Sequence, residues 1–169
     1  MQVPFVHFKT NYLRMKITDC HTIKDALLLC IEQEQQSYES YSVQAKRTIN
    51  VHKKSVWEQL ANDELRHQTM LTSLLNNDNF IANLYKTGIV PSQLDFIEID
   101  HSSSVKSIIQ NAINSEIEAH NEYKDIALHT NTGELQNLFL LLSTEELNHK
   151  RALEFELEAF NNHFGSMPD

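Results

Sequence analysis

Glycine and proline are scarce in this sequence, which has three of each among its 169 residues. Average proteins contain about 7% glycine and 5% proline, so this chain has few of the residues that form tight turns and β-hairpins. The scarcity predicts long helices rather than a β-rich fold. The length fits one compact domain, and a hydrophobic content of 41% is sufficient for a buried core.

Cysteine is scarce as well, and long apolar runs are lacking. The two cysteines, Cys20 and Cys30, form no Cys-x-x-Cys pair, which excludes zinc knuckles and rubredoxin-type iron centres built from them. The first 20 residues contain no apolar core typical of a signal peptide, and runs such as Leu138 to Leu142 are too short to span a bilayer. We therefore expect a cytoplasmic protein in a reducing compartment.

Charge is mainly of one sign, since 23 acidic and 14 basic residues give a formal net charge of −9. An acidic surface repels the phosphates of nucleic acids and the headgroups of anionic membranes. The sequence therefore predicts neither a nucleic-acid partner nor a membrane partner. Part of the negative charge is available for a site inside the protein.

The chain aligns with itself, without a gap, when it is shifted by 82 positions. The shift places Thr22 on Ser104, and both are favourable helix N-caps in front of long periodic segments. Turn signals follow about seven helical turns later in each half, at 48–51 and 130–133. The pairs with chemically active side chains are Glu34 with Glu116, Tyr41 with Tyr123, Glu64 with Glu146, and His67 with His149.

These signals predict four helices, at 22–48, 51–77, 104–130 and 133–162. We expect an all-α four-helix bundle made of two pseudo-symmetric helical hairpins, 22–77 and 104–162, in a single domain 1–169. Segment 78–103 is long enough to be a crossover along the whole bundle, and residues 1–21 form an N-terminal extension.

Two glutamates in each half return to the same level of their hairpin. Glu34 precedes the first turn by about 15 residues and Glu64 follows it by a similar distance, so at 1.5 Å per residue the two side chains meet. Each second helix contains Glu-x-x-His, which puts a carboxylate and an imidazole one turn apart on one face. A lone copy is usually a solvated pair, but two copies in register indicate convergence. The other charged residues of 63–67 are interpreted as a solvated face. The expected metal ligands are Glu34, Glu64, His67, Glu116, Glu146 and His149.

One glutamate from each of two helices, with Glu-x-x-His from each of the other two, is the ligand set of di-iron and di-manganese carboxylate bundles. Four carboxylates balance the charge of two divalent cations, whereas four buried carboxylates alone would repel one another. Oxygen-rich ligands with one imidazole per metal favour iron or manganese, although zinc also fits. We expect two iron ions, with manganese or zinc as alternatives.

Three further side chains are candidates for a role beside the metals. Tyr41 and Tyr123 lie two turns after the first glutamate of their half, so each phenol shares the inward face. Each can hydrogen-bond a ligand carboxylate or simply pack in the core. His120 is interpreted as a partly exposed helix residue, with a supplementary ligand or a proton donor as the alternative.

At these residues, over about 22–162, the sequence resembles the ferritin-like superfamily and most closely its rubrerythrin branch. Each half of a rubrerythrin contains a Glu, a following Tyr and Glu-x-x-His. The resemblance implies that the six expected ligands bind two metal ions, and that ferrous iron is oxidised by peroxide or dioxygen. The six-ligand set of bacterioferritin is similar as well.

The sequence departs from the rubrerythrin pattern at two points. Rubrerythrins have an additional ligand Glu one turn after the third-helix Glu, where this chain has Ala119 with His120 beside it; the difference counts against peroxidase behaviour. Rubrerythrins also usually have a rubredoxin domain with two Cys-x-x-Cys pairs. Since this chain has no such pair, we expect an external electron donor. Cage storage of the bacterioferritin type is the weaker expectation, because no short fifth helix follows the fourth.

The sequence thus predicts a di-iron or di-manganese carboxylate protein, an oxidoreductase that oxidises ferrous iron with peroxide or dioxygen. The alternatives are a non-catalytic iron-binding or storage subunit and a di-iron oxygenase of an unknown substrate. Since one chain contains both hairpins, it can complete the site alone. A homodimer, including one that exchanges hairpins, is compatible with this arrangement.

Overall fold

The computed structural model describes residues 23–77, 104–128, 130 and 133–164. Its regular elements are four helices, and their predicted ends differ from the observed ones by at most two residues. The prediction of an all-α four-helix bundle is confirmed. Among the described helices, none has the length and apolar content that a membrane crossing would need. The helices are α1 (Ile23–Arg47), α2 (Val51–Leu75), α3 (Val105–Leu128) and α4 (Gly133–Phe164).

Two of the helices begin at side chains that cap their free backbone N–H groups. The predicted cap at Ser104 is confirmed, because its Oγ accepts a hydrogen bond from the backbone N–H of Ser107 at 3.2 Å. Asn50 caps α2 in the same way and accepts from the backbone N–H of Lys53 at 3.1 Å. Such caps typically stabilise a helix by about 1 kcal/mol. The predicted cap Thr22, the extension 1–21 and the connection 78–103 lie outside the described residues.

The core consists of two apolar clusters, one toward each end of the bundle, and both hairpins contribute to each. The first cluster joins the beginnings of α1 and α4 to the ends of α2 and α3: Ala26, Leu27, Leu29, Cys30, Leu71, Tyr123, Ile126, Ala127, Leu135, Phe139 and Leu142. The second joins the other ends of the same helices: Tyr41, Ala45, Trp57, Leu60, Ala61, Ile109, Ala112, Ile113 and Leu153. The polar residues discussed below lie between these clusters.

The clusters also define the direction of each helix. Leu71 near the end of α2 lies in the first cluster, whereas Ile109 near the beginning of α3 lies in the second. The end of α2 and the beginning of α3 are therefore at opposite ends of the bundle. This is the arrangement that a long crossover between the hairpins requires.

Candidate metal centre

Six buried side chains from all four helices meet between the two apolar clusters. They form two overlapping groups, and within each group one ligand atom per residue lies within 4.8 Å of the others. Glu64 and Glu146 belong to both groups, so these two carboxylates are placed to bridge two metal ions. The first group is Glu34, Glu64, His67 and Glu146, and the second is Glu64, Glu116, Glu146 and His149. The structure thus brings all six expected ligands together.

Both histidines present Nδ1 to the carboxylates. His67 Nδ1 lies 2.9 Å from Glu146 Oε1 and 3.4 Å from Glu64 Oε2. His149 Nδ1 lies 3.2 Å from Glu64 Oε1 and 3.2 Å from Glu146 Oε2. The imidazole rings stack with their centroids 5.6 Å apart. Each ring therefore faces both shared carboxylates, one from each hairpin.

Several of these polar atoms are buried without a suitable hydrogen-bond partner. Although His67 Nδ1 and Glu146 Oε1 are close, neither has a partner in hydrogen-bonding geometry, and the same is true of Glu64 Oε1. An unpaired buried polar group costs about 1–3 kcal/mol, and a charged one costs more. A divalent cation can bind an imidazole nitrogen and carboxylate oxygens. The residues present therefore fit a two-metal carboxylate centre.

Close packing of the carboxylates strongly perturbs their protonation. Burial raises the pKa of Glu64 well above its usual value, and the nearby charge of Glu146 raises it further. Burial likewise raises the pKa of Glu116 to about 8, although the nearby His149 opposes the shift. Burial also acts to raise the pKa of Glu146, but the adjacent imidazoles of His149 and His67 outweigh it, and that pKa is lowered. The carboxylates therefore differ in their affinity for protons.

The nearby carboxylates raise the pKa of both histidines. Burial by itself lowers the pKa of His67, but the adjacent carboxylates, Glu146 foremost, bring it well above the usual histidine value. The pKa of His149 is raised for the same reason, with Glu116 the foremost partner. Divalent cations bind neutral imidazole and ionised carboxylate, so metal binding at these groups releases protons.

The two tyrosines hydrogen-bond to carboxylates of the opposite hairpin. Tyr41 on α1 donates its hydroxyl to Glu116 on α3, and Tyr123 on α3 donates to Glu34 on α1. Burial and the adjacent carboxylate raise the pKa of both phenols well above the usual value. Each phenol therefore remains protonated and holds the orientation of one predicted ligand. Both tyrosines are also core residues.

Two acidic residues lie beside Nε2 of the two histidines, and neither was predicted from the sequence. His67 Nε2 lies 2.8 Å from Glu145 Oε2, and His149 Nε2 lies 3.6 Å from Asp63 Oδ2. Arg66 Nη2 connects the two acids, at 3.1 Å from Asp63 Oδ1 and 3.2 Å from Glu145 Oε1. The interpretation of 63–67 as a solvated face is therefore incomplete. The repeat contained the signal, because Asp63 and Glu145 are also 82 positions apart.

The contact with Glu145 selects the tautomer of His67. An acid that accepts a hydrogen bond from Nε2 keeps the proton on that nitrogen and leaves the lone pair of Nδ1 for a metal, and Glu145 is placed to do so for His67. Asp63 lies beyond hydrogen-bond distance of His149 Nε2 and attracts that ring only through its charge.

His120 lies in neither candidate metal group. Its Nδ1 is 2.7 Å from the backbone oxygen of Ser143 and 2.9 Å from Ser143 Oγ, so the ring connects α3 to α4. The hydroxyl of Ser143 also donates to the backbone oxygen of His120 at 3.0 Å. These contacts describe a half-buried residue that joins two helices.

A cavity of about 280 Å³, including its open mouth, lies beside the carboxylates between α1 and α3. Ala119, the position that departs from the rubrerythrin pattern, lines it, and so does Glu122 one turn later. Glu122 was not predicted from the sequence, and its repeat partner is Ser40. Burial raises the pKa of Glu122 to about 8, although Cys30 Sγ donates to its Oε1 at 3.8 Å. The lining residues are Gln33, Glu34, Ser37, Glu64, Ser115, Glu116, Ala119, Glu122, Tyr123 and Glu146.

Comparison with known proteins gives one family. The Rubrerythrin family model matches residues 107–165, which contain most of α3 and all of α4. No curated protein and no solved structure matches the chain. The predicted resemblance to the rubrerythrin-like part of the ferritin-like superfamily is confirmed over this segment. Together, this match and the buried glutamates and histidines indicate a carboxylate metal-binding protein similar to the ferritin-like family.

Proposed function

We propose that this chain, with its rubrerythrin-family segment in the second hairpin, is a di-iron oxidoreductase that oxidises ferrous iron with peroxide or dioxygen. The observation that supports the proposal is the pair of overlapping groups, in which Glu64 and Glu146 are shared and each group has one imidazole. Two ferrous ions bound there would supply one electron each to an oxidant. Manganese or zinc would fit the same donors, so metal content is part of the test.

Each protein group has a separate role in this proposal. Glu64 and Glu146 belong to both groups and would be shared by two metals, while Glu34 and Glu116 would each hold one of them. The tyrosine hydroxyls limit the rotation of Glu34 and Glu116, since each donates a hydrogen bond to one of these carboxylates. The protein would thus contribute fixed, buried ligand atoms, and the electrons would come from the metals.

The cavity favours a small oxidant over a larger organic substrate. Even with its open mouth it has a volume of only about 280 Å³, whereas pockets for organic ligands usually have about 300–1,000 Å³. Ferrous-iron oxidation with peroxide or dioxygen is therefore the better reaction for this site than oxygenation of an organic compound.

Continued turnover requires electrons from outside the chain. The sequence has only two cysteines and no Cys-x-x-Cys pair that would hold a rubredoxin-type iron. The proposal therefore includes an external electron donor.

The decisive experiment measures metal content and then oxidation. Purified protein is analysed for metals, loaded anaerobically with ferrous iron and mixed in a stopped-flow instrument with peroxide or with dioxygen. We expect about two irons per chain, as for other carboxylate bundles of this type, and rapid oxidation by at least one oxidant. No bound metal and no uptake on loading would overturn the proposal.

Two controls make the result specific. Glu58→Gln changes an exposed glutamate paired with Lys54, and it should leave metal content unchanged. Glu146→Gln changes a shared carboxylate and should remove most of the metal. Light scattering on the loaded protein tests the storage alternative, since a large shell with many irons per chain would favour storage over an oxidoreductase.

A further inference from the structure

The six candidate ligands are buried, so a metal ion needs a route through the protein to reach them. None of the six is more than 6% exposed. The two apolar clusters lie toward the ends of the bundle. A divalent cation that entered an apolar region would lose its hydration without compensation. The two ends of the described bundle are therefore unfavourable routes.

The side of the site that contains the Nε2 atoms of the histidines is also unfavourable for cations. Arg66 Nη2 lies there, 3.1 Å from Asp63 Oδ1 and 3.2 Å from Glu145 Oε1. The guanidinium is always positively charged, so it repels an approaching cation. Both acids are already engaged with this charge, and Glu145 also contacts His67. We therefore expect metal ions to enter from another side.

The cavity between α1 and α3 provides an opening to the ligands. It has an open mouth, and five of its ten lining residues are glutamates. Four of these five are candidate ligands: Glu34, Glu64, Glu116 and Glu146. Among the described residues, Glu64 and Glu146 each have a buried oxygen without a hydrogen-bond partner. Because carboxylate oxygens can replace the water around a ferrous or manganous ion, an ion in this cavity can pass from water to the ligands.

Two residues of α3 in the cavity wall are suited to the passage of a cation. Glu122, the fifth glutamate, is 4% exposed and belongs to neither candidate metal group. Cys30 Sγ lies 3.8 Å from Glu122 Oε1, and a thiol is a weak donor. A metal ion can therefore displace this contact and the proton of the acid. Ala119 has a side chain of one carbon atom, so a longer side chain at this position would occupy part of the cavity.

We propose that divalent metal ions enter and leave the centre through this cavity, and that Glu122 binds each ion in transit. The inference rests on the metal centre of the proposed function but not on its oxidation reaction. Since Glu122 is outside both candidate groups, it acts on the rates of entry and release. The affinity of the final site is determined by the six ligands.

Cobalt(II) uptake by the full-length metal-free protein tests this route without any oxidation. Cobalt(II) bound by carboxylates and imidazoles absorbs visible light, so stopped-flow absorbance measures uptake, and displacement by a chelator measures release. Loss of a transit ligand raises the barrier equally in both directions, so both rates should fall roughly 10-fold in Glu122→Gln. The affinity and the cobalt content should remain at the wild-type values. Glu58→Gln removes the same charge at an exposed position and should change neither rate.

A bulkier wall residue provides a second measurement. Ala119→Leu places three more carbon atoms in the cavity wall, and it should slow uptake and release by roughly 10-fold. The cobalt content after long incubation should equal that of wild type, which also shows that the variant folds. Ala152→Leu makes the same substitution at an exposed position of α4 and should have no effect on either rate.

Wild-type rates in both Glu122→Gln and Ala119→Leu would overturn the route. A weaker affinity of Glu122→Gln with an unchanged uptake rate would also overturn it, because Glu122 would then support the ligands and not the passage. Failure of the proposed function is distinguishable from failure of the route. It would appear as absent oxidation of bound ferrous iron, whereas the cobalt rates are measured without an oxidant.

Discussion

The two hairpins are alike at the positions that contact the candidate metals and differ at the positions around them. Glutamate, tyrosine and histidine recur in both, because two equivalent metal positions need equivalent donors. The surrounding residues have no such requirement, and several of them differ between the hairpins. The differing pairs are Cys30 and Ala112, Ser40 and Glu122, and Trp57 and Phe139. The residues that repeat in both hairpins are therefore those of the candidate metal centre, and the residues around it are the ones that differ.

The largest expected effects come from removing a carboxylate that belongs to both candidate metal groups and, separately, one that belongs to a single group. Glu34→Ala affects one candidate group, so about one metal per chain should remain, whereas Glu64→Ala affects both groups and should leave almost none. Elemental analysis after anaerobic ferrous loading measures the difference. Equal losses in the two variants would contradict the assignment of Glu64 as a bridge.

The buried acid of the second hairpin should make metal-free stability depend on pH. The folded-state pKa of Glu122 is about 8, above the unfolded value of about 4.3. The folded state therefore binds an additional proton between these values, and wild-type stability falls as pH rises through this window. Glu122→Gln has no proton to lose, so its stability relative to wild type should rise by about 3.5 kcal/mol between pH 5 and pH 8.

Chemical denaturation of the metal-free proteins at several pH values measures this effect. Ser40→Ala, at the matching position of the first hairpin, is the control and should show a difference from wild type that does not change with pH. A constant difference for Glu122→Gln would mean that this carboxylate is not preferentially protonated in the folded state.

The acids that orient the histidines should affect metal affinity without abolishing binding. Loss of such outer partners typically lowers metal affinity by about 10–100-fold. Glu145→Gln should have the larger effect, because Glu145 lies 2.8 Å from His67 while Asp63 lies 3.6 Å from His149. Competition with a chelator measures both affinities. A larger loss of affinity in Asp63→Asn than in Glu145→Gln would contradict the prediction.

The smallest expected effects are at the helix caps. Asn50→Ala and Ser104→Ala each remove a side-chain acceptor from a helix start, and each should cost about 1 kcal/mol of unfolding free energy. Denaturant titration measures the loss. Because the caps are remote from the carboxylates, metal content should stay at the wild-type value, and a decrease would show that the caps also position the ligands.

The sequence predicted features that depend on spacing along one helix or one hairpin. The scarcity of glycine and proline, the cap at Ser104 and the 82-residue offset were enough to predict the helices. The helical rise per residue predicts that Glu34 and Glu64 lie at the same height along their hairpin. The one-turn spacing predicts that His67 lies on the same helix face as Glu64. These relations are local, so the packing of the two hairpins does not change them.

The sequence predicted that the ligands of the two hairpins converge, but not which residues contact one another between the hairpins. Spacing within α1 places Tyr41 on the inward face, but it does not show that the hydroxyl reaches Glu116 on α3. Similarly, no distance along the chain relates Glu145 to His67. Glu122 has no identical partner in the repeat, so the self-alignment that identified the ligands did not identify it.

All four contacts that orient the ligands run from one hairpin to the other: two from tyrosines and two from acids to imidazoles. Two copies of a single hairpin, related by a twofold axis, would make the same set of contacts. Joining the copies through one chain makes their association intramolecular, at an effective concentration on the order of millimolar. Site assembly then no longer depends on how much protein the cell makes, and each hairpin is free to diverge.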